Sequence, residues 1–479
     1  MTRSGYAHSA SLRLSKLFLA TAVTSALTLW ADPGTVRQPG PTQQERTAIV
    51  FVQTPKISNE TGVDRFAEGS QIVVAASDRT GKAPAVLTQR FFAAGDPQID
   101  FTGKRVLFAG QRGRGEHWQI WEMNLDGSGE HRITNCEGNC IRPAYLPADE
   151  IVFTSLKSGH VGSSLMVSRI DGANPRPITF GPGDWWVETV LRDGRIVASA
   201  NSPLKERAGR STNRLLYTLR PDGTGLESLR CEHTGNAHRS EASELENGSI
   251  VFVKDGDLAI VKRGAANEQR IPGRERIYRF PSELNDSSIV VARRASTGRY
   301  QIAVLPMNGS GSPNVIFADA KIDALQPVAV KTRPIPKRFW SNLILSSKTG
   351  YFVSLDSTNS TDKPIGAGAV KSVRVVAQRP EGEVVLGEAP VEADGSFYLR
   401  VPANSAVRFV LLDAGGNVVR EEQSWVWTRP GEERGCTGCH GDKALAPENR
   451  WPMALKRKGP ASDLADVAKG TAMVEDHAH

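Results

Sequence analysis

Long apolar runs are missing from this 479-residue chain. No stretch approaches the roughly 20 apolar residues that span a bilayer, so the mature protein is expected to be soluble and without a transmembrane anchor. Compact charge is scarce too. The formal charge of +7 is spread along the chain, and Lys456-Arg457-Lys458 is the one tight basic run. Diffuse charge of this kind suits solubility and an acidic redox partner. With no binding motif beside it, it gives no footing for nucleic acid. Cysteines number five, and none follows the apolar run near the N-terminus, so a lipoprotein signal is absent.

That run is itself informative. Arg3, Arg13 and Lys16 precede LFLATAVTSALTLWA at 17–31, the layout of a secretory signal peptide cleaved after Ala26 or Ala31. The alternative is a first strand or helix of the fold. Residues 1–31 are taken as the signal peptide, and the mature protein is expected to be periplasmic or secreted. In an oxidising compartment Cys136 and Cys140 suit a small disulfide loop, while Cys231 has no obvious partner. A metal role, or a bridge to Cys231, stays open.

A turn element recurs along the first two thirds of the chain. Asp78-Arg79-Thr80-Gly81, Asp126-Gly127-Ser128-Gly129, Asp171-Gly172-Ala173-Asn174, Asp222-Gly223-Thr224-Gly225 and Asn308-Gly309-Ser310-Gly311 follow one another at spacings of 48, 45, 51 and 86 residues. The last spacing is twice 43, which predicts a degenerate copy near Arg263-Gly264. Upstream lie short apolar strands: RVLFAG (105–110), EIVFTS (150–155), RIVASA (195–200), SIVFV (249–253) and SIVVA (288–292). Repeats of this length, each alternating strand and tight turn, predict an all-β fold with a six-bladed β-propeller over 46–330. A β-sandwich of similar hairpins is the competing fold. AIVFVQ (48–53) either begins the first blade or closes the ring with the last. The Asp-Gly turn with its following Arg-x-Ile-Thr resembles the propeller repeats of the TolB type.

Near residue 330 the pattern changes. TRPIPKR (332–338) reads as a linker, assigned to 331–345. Beyond it KSVRVVAQ, EVVLGEAPVEADGSFYLRVP and SAVRFVLLDAGGNVVREE alternate as strands, broken at Asp394-Gly395 and Gly415-Gly416, and predict a small β-sandwich-like domain carrying a haem segment over 346–455. Residues 456–479 are expected to be a flexible tail.

The chemistry is concentrated at Cys436-Thr437-Gly438-Cys439-His440. In a c-type site the two thiols form thioethers with the porphyrin, and the adjacent histidine ligates the iron. A redox disulfide of the thioredoxin kind needs a βαβ context; here the motif follows strands and a Pro430-Gly431-Glu432 turn. A structural zinc site needs four ligands, and only the distant Cys136 and Cys140 would complete one. One covalent haem c is the reading these residues favour. Candidates for the sixth iron ligand are Met453, 13 residues downstream of His440, and Met473, His477 and His479 in the tail. Each also suits a plain packing or solvent-exposed role. Trp425, Trp427 and Trp451 flank the motif as porphyrin shields or core. Trp118, Trp121, Trp185 and Trp186 on the propeller suit a binding surface or packing. His117, His131, His160, His233 and His238 show no ligand spacing.

The order of parts resembles the family related to the hydrazine synthase alpha subunit, over residues 96–455. The matching features are DGSF at 394–397, Val401-Pro402-Ala403, Leu412-Asp413, and Pro430-Gly431-Glu432 leading into Cys436-x-x-Cys439-His440. The resemblance implies a haem c on a middle domain packed near the propeller. It also implies, for the enzyme, a further domain with a second haem, and a tyrosine ligand four residues after the motif histidine. Here that position is Ala444, and no second CxxCH follows in the 39 residues after His440.

Three functions are consistent with these residues. The first is an exported monohaem cytochrome passing single electrons to a redox partner protein, with the propeller as docking platform. The second is a haem enzyme, or a subunit of a hydrazine synthase-like multihaem complex, with an open distal site. The third is a propeller-based binding or sensor protein. Oligomeric state is not legible in the sequence.

Overall fold

The computed structural model describes residues 47–55, 66–76, 83–156, 162–201, 214–229, 237–262, 267–271, 277–307, 312–360, 365–422, 424–438, 450–457 and 461–465. Residues 1–31, Asp78-Arg79-Thr80-Gly81, Asn308-Gly309, Arg263-Gly264, His160, Cys231, His233, Cys439, His440, Ala444, Met473, His477 and His479 lie outside that set.

The recurring turns are closed by their own carboxylates. Oδ1 of Asp126, Asp171 and Asp222 accepts the N–H two residues on at 2.9, 3.0 and 3.0 Å, and the glycine between adopts φ near +82°, a region that costs glycine nothing. The threonine ending each repeat has a separate task. Thr88, Thr134 and Thr179 accept, through Oγ1, the N–H of Ile72, Ile120 and Leu165 at 2.8–2.9 Å. A two-residue outer strand is thereby extended by one side-chain bond, which explains why the repeat carries both elements.

Six four-stranded antiparallel sheets result. Blades 1 to 5 occupy 93–132, 139–177, 185–228, 239–270 and 278–317, and the apolar strands read from the sequence are the second strand of each. Blade 6 joins the two ends of the propeller. Ala48–Thr54 pairs with Asp323–Ala329, Ile49 opposite Ala329 and Thr54 opposite Asp323, so AIVFVQ closes the ring. Innermost strands of successive blades touch all the way round, and the apolar faces between blades merge into shared cores, the largest around Phe51, Phe108, Ile120 and Ile151.

Every innermost strand carries a bulge. In Ala93–Ile99, Asn139–Leu146, Arg239–Glu244, Tyr278–Asn285 and Asp323–Ala329 the bulged residues Asp96, Arg142, Glu241, Phe280 and Gln326 have φ of +49° to +58°. In Trp185–Val190 the register slips at Glu188. A bulge releases a backbone N–H from the ladder, and a buried N–H needs an acceptor. The acceptors come from the neighbouring blade. Gln326 Oε1 accepts from Asp96 N–H (2.8 Å), Asp96 Oδ2 from Arg142 N–H (2.9 Å), Glu188 Oε2 from Glu241 N–H (2.7 Å), and Glu241 Oε2 from Phe280 N–H (2.8 Å). The Arg142 guanidinium reaches Glu188 across the seam at 3.3 Å, and Arg279 Nε donates to Glu241 at 2.6 Å. A second tier uses Glu244 for Arg192 N–H, Glu283 for Glu246 N–H and Asp323 for Tyr300 N–H. The propeller is thus stitched round its axis by side chains that accept backbone bonds.

Residues 331–337 cross one mouth of this axis rather than swinging free. Arg333 N–H donates to Phe101 O and Lys337 N–H to Arg192 O, spanning blades 1 and 3. A side chain at Gly194 would collide with the strap's backbone at Lys337, and one at Gly103 would press tightly on Lys331. Between strap and bulges lies a cavity of about 270 Å³.

Beyond the strap, two four-stranded sheets face each other across one apolar core that includes Phe352, Val373, Leu399, Val407 and Phe409. Within the segment read as a tail, Ser462–Asp463 lies as a short parallel strand beside Leu399 and Arg400, with Arg400 bonded to Asp463. The tryptophans divide. Trp118, Trp185 and Trp186 are buried and Trp121 is half-buried, so they pack between blades. Trp427 is 1% exposed. It leaves the sandwich, packs edge-on to Trp185 (5.5 Å) and Phe180 (5.9 Å), and donates Nε1–H to Gly223 O at 3.0 Å.

Glu241→Ala leaves both the Arg279 guanidinium and the Phe280 N–H without their buried acceptor, and is expected to cost about 3–5 kcal/mol. Glu388→Ala, which breaks a surface pair with Arg374, should cost under about 1 kcal/mol; urea unfolding midpoints compare the two. Trp427→Ala is expected to cost about 3–5 kcal/mol in the same measurement.

Candidate functional site

The motif enters on a short strand, Glu433–Cys436, laid parallel to Thr349–Ser354, with Tyr351 opposite Glu433 and Ser354 opposite Cys436. Flanking bonds run from Tyr351 N–H to Glu432 O (2.8 Å) and from Leu355 N–H to Cys436 O (2.9 Å). The residues that precede the strand fix its direction. Gly431, at φ +74° and with its Cα against Ile344, makes the turn. Glu432 then caps it by accepting Arg429 N–H at 2.7 Å.

This entry segment is bolted to blade 3. Arg429 Nε donates to Asp222 O (2.7 Å) and its other arm to Asn404 Oδ1 (2.6 Å). Gly225 N–H donates to Glu432 Oε1 at 3.3 Å, and Arg434 donates to Leu226 O (2.6 Å) and Trp427 O (3.1 Å). The Asp222-Gly223-Thr224-Gly225 turn of the repeat is therefore also the propeller's contact with the motif. Burial raises the Glu432 carboxyl above its ordinary value against these hydrogen bonds.

Cys436 is a free thiol, half-buried against the sandwich core. Burial pushes this thiol above its ordinary value, with Arg434 pulling the other way. Gly438 sits where no side chain fits: a Cβ there would lie 2.7–2.9 Å from Asn359 O, Asn359 Cβ and Asp356 O. Asn359 Nδ2 donates to Thr437 O at 3.4 Å. The chain then passes through 439–449, outside the described residues, and returns to the same corner. Arg450 bonds Asp356 Oδ2 (3.2 Å) and Asp394 O (3.0 Å). The following turn, Met453–Lys456, is seated by Met453 N–H on Asp394 Oδ2 (2.9 Å) and Ala454 N–H on Ser396 Oγ (3.0 Å). The Asp394-Gly395-Ser396 turn of the DGSF run thus receives the segment after the motif.

Cys136 and Cys140 are joined by a disulfide, Cα to Cα 6.3 Å, in the loop entering blade 2. That removes them as the distant half of a four-ligand zinc site. His117 and His131 are exposed on blade 1, and His238 precedes blade 4. Among the described residues no group of three or more His, Cys, Asp or Glu is arranged to hold a metal ion. Of the flanking tryptophans, Trp427 is propeller core and Trp425 lies beneath Arg408 at 5.4 Å. Trp451 (65% exposed) and Met453 (42% exposed) stand at the corner where the chain returns. Sequence reasoning missed the docking residues Arg429 and Arg434; their arginines are unremarkable until Trp427 is seen in the propeller.

A haem c fits what is present. The donor set is Cys436 on a fixed strand, with Cys439 and His440 following in the chain, and Gly438 lets the backbone between them lie against Asn359 and Asp356.

Residues 353–441, which include the whole motif, match the family model described as Hydrazine synthase alpha subunit middle domain. The chain is 23% identical to Hydrazine synthase subunit alpha of Kuenenia stuttgartiensis, over 86% of this chain and 68% of that protein. Among solved structures it is similar to Kuenenia stuttgartiensis Hydrazine Synthase, with a TM-score of 0.75 and 22% identity over 86% of this chain and 71% of the other. It is also similar to TolB from Acinetobacter baumannii, with a TM-score of 0.44 and 15% identity over 61% and 67% of the two chains. A six-bladed propeller stitched to a sandwich that carries CTGCH is therefore related to the hydrazine synthase alpha subunit, and residues 353–441 are its counterpart of that subunit's middle domain.

Proposed function

We propose that this protein is an exported carrier of one covalent haem c, attached through Cys436 and Cys439 and ligated by His440, that passes single electrons to a partner protein within a hydrazine synthase-like assembly. The observation that carries the reading is the free Cys436 thiol at the end of a strand fastened to blade 3, inside the 353–441 match. When bound, a haem c supplies one-electron redox chemistry at its iron.

The chain's own residues do the rest. Cys436 and Cys439 hold the group against loss, which matters in an exported protein. Gly438 brings the backbone against Asp356 and Asn359, and Trp427, Arg429 and Arg434 keep the strand from moving relative to the propeller. A site that does not rearrange suits electron transfer, because little has to reorganise when charge changes. Met453, seated by Asp394 in the corner that receives the chain after the motif, is the favoured sixth ligand among the described residues; His477 and His479 are the alternatives in the tail. Support for export comes from the apolar run at 17–31 and from the Cys136–Cys140 disulfide, which suits an oxidising compartment. The relation to a hydrazine synthase subunit supports a second reading, a catalytic subunit with an open distal position.

Expressed in a periplasm with haem c maturation, the protein should give a pyridine haemochrome and a haem-staining band after denaturation. Cys436→Ala and Cys439→Ala should each abolish two-thioether attachment, and His440→Ala should keep the stain but alter the spectrum. A reduced spectrum unmoved by carbon monoxide supports the electron carrier; a carbon monoxide shift favours the catalytic reading. Total absence of haem from well-folded protein would sink both.

Acid should release the segment that carries Met453. Burial raises the Asp394 carboxyl, but hydrogen bonds from Ser396 and Met453 N–H, with Arg450 beside it, outweigh burial and hold it below its ordinary value of 3.8. A lowered folded value stabilises above that pH, and the contribution is lost as pH falls below about 3.8 through the folded value. Limited proteolysis should therefore cut within 450–457 faster at pH 3 than at pH 6. Asp394→Asn should show the fast cleavage already at pH 6, and equal rates at both pH values in the parent would refute this role for Asp394.

A further inference from the structure

Arg434 carries a charge that its bonds do not use. Its two arms donate to neutral carbonyls, Leu226 O at 2.6 Å and Trp427 O at 3.1 Å, and its guanidinium lies 5.8 Å from the centre of the Phe352 ring. Among the described residues no carboxylate stands within ion-pair distance of it. Of the acids beside it in the chain, Glu432 gives its oxygens to Gly225 and Arg429 N–H. Glu433 is exposed on the other face of the strand, where it meets Tyr398.

A contact to two carbonyls asks for N–H donors and not for a charge, and a half-buried guanidinium without a counter-ion costs desolvation that the contact does not return. The register of the strand shows where that charge is presented. Arg434 opposes Phe352 and Cys436 opposes Ser354, so the two residues stand two apart on one side of the strand, the side packed against the sandwich core. Their proximity is felt at the thiol. After burial, Arg434 acts most strongly on Cys436 and favours negative charge there, while Glu422 acts against it. Glu422 comes from another part of the chain, just after the strand Val418–Glu421; its N–H donates to Phe409 O, and its carboxylate accepts Ser424 N–H at 3.1 Å. One cation and one anion therefore act on the sulfur through which the haem would be attached.

We infer that Arg434 raises the reduction potential of the haem, its unmatched charge beside the Cys436 attachment point favouring the reduced iron, with Glu422 as the opposing charge. Reduction adds one electron and turns ferric iron into ferrous, so a fixed cation nearby favours the product and a fixed anion the reactant. Half-burial keeps such a charge from being fully screened by salt and water. The inference rests on the haem reading and adds which of the chain's own side chains tune the group. Fastening and tuning then fall to one residue, because the guanidinium that ties the strand to blade 3 also faces the thiol.

The test is spectroelectrochemical titration of the haem-loaded full chain, with a pyridine haemochrome on each sample to report attachment. Arg434→Gln removes the charge and should move the midpoint potential down; at the parent's midpoint the ratio of reduced to oxidised protein should fall on the order of threefold to tenfold. Arg434→Lys keeps the charge and should stay closer to the parent. Because Arg434 also fastens the strand, Glu422→Gln supplies a variant outside that fastening, and it should move the potential up. Opposite shifts on removing opposite charges are not what a loosened strand produces. With haem attached, an unchanged or raised potential in Arg434→Gln, an equal fall in Arg434→Lys, or a fall in Glu422→Gln would each overturn the inference and leave the attachment standing. Well-folded protein without haem would overturn it together with the haem reading.

Discussion

Everything in this molecule depends on backbone N–H groups that the bulges of the six inner strands turn toward the next blade. A propeller blade cannot bury its faces alone, so blades must meet; the bulge makes them meet at a polar group that cannot be left bare. Asp96, Glu188, Glu241 and Gln326 answer it, each accepting from the neighbouring blade. Five bulged residues hold φ near +50°, outside the comfortable range for side chains of their kind. That strain is tolerated because a charge-assisted or amide bond is formed at each seam and the shared apolar cores reinforce it.

The motif is placed by the same logic, one layer out. Its strand has few contacts of its own within the sandwich, being an edge strand paired on one side. What fixes it is the propeller. Trp427 fills the space beside Trp185 and Phe180, and Arg429 and Arg434 reach the carbonyls of Asp222 and Leu226. The turn residues that repeat along the propeller for local reasons thus supply, in blade 3, the docking carbonyls for the segment before Cys436. A single repeat has been given a second use without changing its turn chemistry.

Much of this architecture was legible in the sequence, and the reasons differ by element. The second strands of blades 1 to 5 were readable because each is a short apolar run bounded by turn residues, and the Asp-Gly spacing gave the blade number. The ring closure by Ala48–Thr54 is not legible, since a closing strand pairs with a partner about 270–280 positions away and no local pattern names it. The strap over 331–337 read as a linker because prolines and basic residues look alike in a free connector and in a segment laid over a surface. What separates the two is the glycine beneath it at 103 and 194, whose need for room shows only in three dimensions. The motif was legible by its spacing; its fastening to blade 3 was not, because arginine-to-carbonyl bonds leave no periodic trace.

The strap ties these parts into one path. Arg333 borders the axial cavity, Lys337 is pinned to Arg192 O, Ile344 is pinned to Pro430 O, and Thr349–Ser354 then pairs with the motif strand. The segment between cavity and motif is therefore held at successive points, and each pin ends on backbone of a blade or of the motif's own turn. A connection held this often transmits little by bending. Its physical effect is to constrain the distance and orientation between the axis of the propeller and the strand carrying Cys436.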